Sequence, residues 1–85
     1  MQLIGEKVKK GCYSVGYYPT LRIYVLSYVV DYKVPYKRYY EITKEDYESF
    51  GRNRILDLRA EKFKRMGVFS NKFVYSQRRT ENYNC

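Results

Sequence analysis

From Leu21 to Lys33 the chain alternates with a period of two, and both faces so formed are largely apolar. One face carries Leu21, Ile23, Val25, Ser27 and Val29; the other carries Arg22, Tyr24, Leu26, Tyr28, Val30 and Tyr32. Alternation predicts a strand, and apolar residues on both sides suit a central one, rich in β-branched and aromatic side chains. The second face is distinguished by a tyrosine at every fourth residue. Such a stripe either packs beneath a helix with its hydroxyls at the rim or stands open as a recognition surface. Val34-Pro35 supplies a turn, because proline fixes φ and cannot serve a central ladder. Tyr36 to Ile42 then returns as the partner strand, with Tyr36, Arg38, Tyr40 and Ile42 on one face and Lys37, Tyr39 and Glu41 on the other.

The flanks are less regular. Gln2 to Val8 reads as a short edge strand whose charges resist sheet-to-sheet pairing. Lys9-Lys10-Gly11 turns, and Gly16 and Pro19 keep much of the next stretch loop-like, with a brief strand at 12–15. Thr43-Lys44-Glu45-Asp46 opens a helix: a capping hydroxyl is followed by carboxylates in the first turn. Gly51 ends that turn or only kinks it. Asn53 can cap a second segment, Arg54 to Met66, which Gly67 stops. There Ile55, Leu56, Ala60, Phe63 and Met66 share one side at helical spacing, and Arg59 falls in the same arc. Lys72 to Gln77 reads as a last strand, and residues 78–85 as a frayed end.

These elements predict one domain over residues 1–85 with an α+β fold. A small antiparallel sheet of three to five strands carries one helix, kinked or straight, on one face. Ile23, Val25, Val29, Ile42, Phe50, Ile55, Leu56, Phe63 and Val74 are the expected core. The apolar run from Leu21 to Val30 is too short to span a bilayer. With no apolar signal segment and only Cys12 and Cys85, the expected setting is a reducing cytoplasm.

Composition sharpens the functional question. The chain holds 12 Tyr, 4 Phe and no Trp, too many tyrosines for so small a core. A net charge of +8, from 17 basic and 9 acidic residues, either serves solubility or biases the partner towards something acidic: nucleic acid, an anionic membrane surface or an acidic protein. There is no histidine, no phosphate-binding glycine loop and no metal-ligand spacing, and the carboxylate pairs (Glu45/Asp46, Asp57/Glu61) sit among lysines and arginines as helix charges. The expectation is a non-enzyme without cofactor or metal. Basic residues interleaved with aromatics at Tyr36-Lys37-Arg38-Tyr39-Tyr40 fit nucleic-acid binding, where rings stack on bases and cations meet phosphates. Tyrosine and arginine equally favour protein interfaces. Arg59 either covers core edge with its stem while its guanidinium snorkels out or pairs with a carboxylate, or reaches a partner's carboxylate or phosphate.

The order SYVVDYKVPYKRYYEITKEDYESFG, followed by a basic helix and NKFVYS, spans Ser27 to Ser76. It resembles small immunity proteins encoded beside bacterial contact-dependent and other polymorphic toxins. The resemblance implies a cytoplasmic inhibitor that binds one toxin domain and blocks its active site, here a partner with an acidic surface. A phage-encoded inhibitor of a host defence protein has the same physical profile. The expected interface draws on Tyr24, Tyr28, Tyr32, Tyr36, Lys37, Arg38, Tyr40 and Arg59. The alternative is a small basic RNA- or DNA-binding protein using the same residues.

Overall fold

The computed structural model describes residues 2–83. Among them the strands are β1 (Ile4–Lys9), β2 (Tyr13–Tyr18), β3 (Ile23–Val30), β4 (Tyr36–Ile42) and β5 (Phe73–Ser76). A one-turn helix α1 (Lys44–Glu48) and the main helix α2 (Ile55–Met66) lie between β4 and β5, and 3-10 turns occupy Gly67–Phe69 and Arg79–Tyr83. All pairings are antiparallel, in the order β1-β2-β3-β4-β5. The fold is therefore α+β, a sheet of sequential neighbours with one main helix on it.

Register decides which face meets the helix. Leu26 lies opposite Tyr40 and Val15, and Tyr24 opposite Ile42 and Tyr17. These share a face with Tyr28, and Leu56, Ala60 and Phe63 of α2 pack onto it. The tyrosine stripe is thus the helix-covered face. Tyr40 is fully buried; its ring stacks on Phe63 at 4.5 Å between centroids and on Tyr28 at 5.6 Å. Its hydroxyl bonds that of Tyr28 at 2.9 Å and donates to the Gly67 carbonyl at 3.0 Å. Both hydroxyls are thereby satisfied inside the core, where an unpaired one would be costly.

The opposite face is not flat and open. Val25, Ser27 and Tyr39 are buried there, Leu3 lies against Gly16, and Tyr75 packs on Tyr39. Ser14 and Ser27 satisfy each other at 2.9 Å. Gly5, at φ +63°, sits in an irregularity of the β1–β2 pairing, and its carbonyl accepts from the Tyr47 hydroxyl. A Cβ there would come within 2.8 Å of that hydroxyl oxygen, so Tyr47 would have to shift, and the positive φ itself favours glycine.

Most expected elements form, with Thr43 capping α1 in a capping box with Asp46 and Gly67 ending α2. Asn53 accepts from the Ile55 N–H, one residue before the helix cap at Arg54. Three expectations are corrected. The brief strand at 12–15 is a full strand through Tyr18. Val29 and Ile55, expected in the core, are 56% and 42% exposed. Val29 lies on the helix-free face beyond the last β2 partner, and Ile55 lies on the outer flank of the first turn of α2. Residues 79–83, expected to fray, form a 3-10 turn; residues 84–85, with Cys85, lie outside the described residues.

That turn is latched by Glu81. Its carboxylate accepts from Arg38 Nε at 2.9 Å and Nη2 at 2.6 Å, from the Tyr36 hydroxyl at 2.6 Å and from the Ser76 hydroxyl at 2.7 Å. The Arg38 guanidinium, helped by the two hydroxyls, holds the carboxyl at about 2 from an ordinary 4.5, against burial. A depressed folded-state value means that the stabilisation is complete above about pH 4.5 and is lost as the pH falls towards 2. Replacing Glu81 by Gln leaves Arg38 half-buried without its counter-charge. The expected loss is about 3 kcal/mol at neutral pH, with a shallower fall of stability at acid pH than in the parent. Urea denaturation at a series of pH values checks both; equal acid sensitivity in the two proteins refutes the latch.

Candidate binding face on the main helix

The structure divides the expected interface residues. Tyr28, Tyr36 and Tyr40 are buried, so they cannot meet a partner in this fold. Tyr24 is half-buried between Tyr17 and Tyr47, at 4.9 and 4.8 Å between centroids. Arg38 is committed to Glu81. Lys37 is half-buried on the helix-free face, opposite Val29. Only Tyr32 and Arg59 are exposed, and Tyr32 lies under the Arg78 guanidinium at 4.6 Å. The eight do not form one surface.

Arg59 instead belongs to another arrangement. At about 100° per residue it lies some 70° from the centre of the stripe that buries Leu56, Ala60 and Phe63. Its Nε donates to Asp46 Oδ2 at 3.4 Å, while its side chain stays 47% exposed. The carboxylate-pairing reading of Arg59 therefore holds. Its terminal amino groups still have no hydrogen-bond partner among the described residues. Arg59 also lines a cleft of about 390 Å³ with Lys62, Thr43, Ser70, Asn71 and Lys72, between the start of α1, the flank of α2 and the loop into β5.

Beside this cleft the outer side of α2 is unexpectedly apolar. Leu58 is 59% exposed, Ile55 and Met66 are exposed on the same side, and Phe69, just past the helix, is 79% exposed. Basic residues border them: α2 carries Arg59 and Lys62 on this side, while Lys64, about 180° round the helix from Ile55, lies on the opposite flank beside the Tyr28 ring. Asp57 is spoken for, since Lys9 Nζ and the Tyr13 hydroxyl both reach its Oδ1 at 2.8 Å. The ammonium, then the hydroxyl, hold its carboxyl below the usual range, and this pairing ties α2 to β1 and β2.

Sequence reasoning missed Leu58, Lys62, Lys72 and Phe69. A signal for Leu58 was present, because its phase is nearly opposite the buried stripe, about 190° from its centre. An apolar residue there has no core to enter. Phe69 carried no such signal, since it follows the helix stop.

Compared with family models, curated proteins and solved structures, the chain matches none. The face offers aliphatic and aromatic contact area edged by cations. Among the described residues no group of carboxylates and cysteines could hold a metal ion.

Arg59→Ala removes a half-exposed pair and is expected to change stability by less than about 1 kcal/mol. Asp46→Ala also removes the capping box of α1 and is expected to cost more, about 1–2 kcal/mol. Thermal and urea denaturation of the two variants decide this. Equal losses would mean that Arg59 is a structural residue rather than one free to serve a partner.

Proposed function

We propose that the protein is a non-catalytic inhibitor-type binding protein, of the kind immunity proteins represent, which covers an acidic, partly apolar patch on a partner protein. One observation carries this reading: Ile55, Leu58 and Met66 are exposed on the flank of α2 that also carries Arg59 and Lys62, and Phe69 is exposed just past the helix. A rigid helix presenting aliphatic anchors within a basic rim suits a protein surface, where apolar burial supplies affinity and charge supplies rate and selectivity. Nucleic acid offers abundant phosphate but little apolar surface to match those anchors. The stacking platform that would favour it is also withdrawn, since Tyr36, Tyr39 and Tyr40 are buried. An inhibitor needs only to cover a site, so it requires no reactive group of its own.

The test uses tagged protein recovered from the cells that naturally produce it, washed at about 0.15 M and about 0.5 M salt, a range over which phosphate contacts weaken steeply. A stoichiometric protein partner is expected to survive both washes. Leu58→Asp is expected to weaken the complex at least tenfold, about 1.4 kcal/mol, while Val34→Asp, on the exposed β3–β4 turn, leaves it intact. Nucleic acid that departs between the two salts, or a partner indifferent to Leu58→Asp, overturns the proposal.

A further inference from the structure

A second cavity lies away from the outer face of α2, where β2 and β3 part. The pairing of these strands ends at Ser14 with Ser27, yet β3 continues against β4 through Val29–Lys37 and Val30–Tyr36. Tyr13 and Tyr28, next in register, are not paired, and a notch of about 350 Å³ opens there. A strand that loses its neighbour leaves backbone groups on that side without a ladder partner. The notch thus lies where the β1–β2 turn, with Gly11 and Cys12, ends beside the longer β3.

Its walls are chemically divided. Val8 and Val29, both well exposed, and the Tyr28 ring supply apolar surface. Three lysines reach it, and their commitments differ. Lys9 is neutralised by Asp57 at 2.8 Å. Lys37, opposite Val29, comes from the helix-free face of the sheet, and Lys64 comes from α2 on the other face. Neither has a carboxylate within ion-pair distance among the described residues. The contact recorded for the Lys64 ammonium is with the Tyr28 ring, 5.6 Å from its centroid. Glu6 is the one acidic residue on the lining. Two cations without a carboxylate partner among the described residues therefore line the notch from opposite faces.

We propose that this notch binds a small amphipathic carboxylate, a ligand with one anionic head and a short aliphatic or aromatic body. The head would lie between Lys37 and Lys64, where charge-assisted hydrogen bonds are strongest, and the body against Val8, Val29 and Tyr28. Its volume and partly apolar lining are ordinary attributes of a small-molecule site. The site shares no residue with the partner face proposed above, and either can fail without the other.

The probe is hexanoate, followed by two-dimensional amide NMR of the full chain. Saturable shifts are expected at Ser14, Ser27 and Val29, with a Kd of about 1–10 mM, a reasonable affinity for eight heavy atoms. Hexanol at equal concentration should give much smaller shifts, and inorganic phosphate none that saturate. The double variant Lys37→Gln, Lys64→Gln should weaken hexanoate at least tenfold, and Val29→Asp, on the exposed rim, should abolish binding. Amide spectra of each variant establish that it is folded before titration. Equal responses to hexanol and hexanoate, saturation by phosphate alone, shifts confined to other regions, or no effect of the lysine substitutions would each overturn the proposal.

Discussion

The burial of Tyr40 is the constraint on which the rest of the structure depends. Its ring is stacked between Tyr28 and Phe63 and meets Phe73 edge-on at 5.7 Å, so one side chain of β4 contacts β3, α2 and β5. A phenol can occupy such a place only if its hydroxyl is bonded. The Tyr28 hydroxyl and the Gly67 carbonyl provide those bonds and thereby also set where α2 ends. Burial pushes the Tyr40 hydroxyl well above the usual phenol range, with the Tyr28 bond adding to it. The core therefore carries a neutral hydrogen-bonding chain inside an apolar cluster. Such a chain specifies one packing more sharply than alkyl contacts alone.

Around that centre the charged residues serve two purposes. Glu81, Arg38, Tyr36 and Ser76 form a closed set that fastens the C-terminal turn to β4 and β5. Asp57, Lys9 and Tyr13 form a smaller one that fastens α2 to the first hairpin. These sets consume acidic residues, of which the chain has few. The pairs are neutral as units, so the net charge of +8 is carried by the remaining, mostly exposed lysines and arginines.

The two proposed sites lie on an outer helix face and in a notch beside β3. The face offers exposed Leu58 and Phe69 among cations and suits a broad acidic surface. The notch offers two lysines beside a partly apolar lining and suits one small anion. Both follow from packing: a helix with a second, exposed apolar side, and a strand longer than its neighbour.

Periodicity and local chemistry were enough to place the central hairpin, the Thr43 cap, the Gly67 stop and the α+β class, because each depends on residues within a few positions of one another. They were not enough to choose between the two apolar faces of β3. Both alternate equally well, and only the docking of Leu56 and Phe63 puts Tyr28 inside and leaves Val29 at the surface. The roll of α2 is of the same kind, since Ile55 and Leu56 are adjacent and equally apolar, and the sheet surface selects one. Arg38, Tyr36 and Tyr40 read as a recognition cluster because basic and aromatic residues alternate there. Glu81, more than forty residues away, converts part of that cluster into a latch. Local spacing determines the type of an element. Which of its faces is free for function is decided by contacts between residues far apart in the chain, which only the tertiary structure brings together.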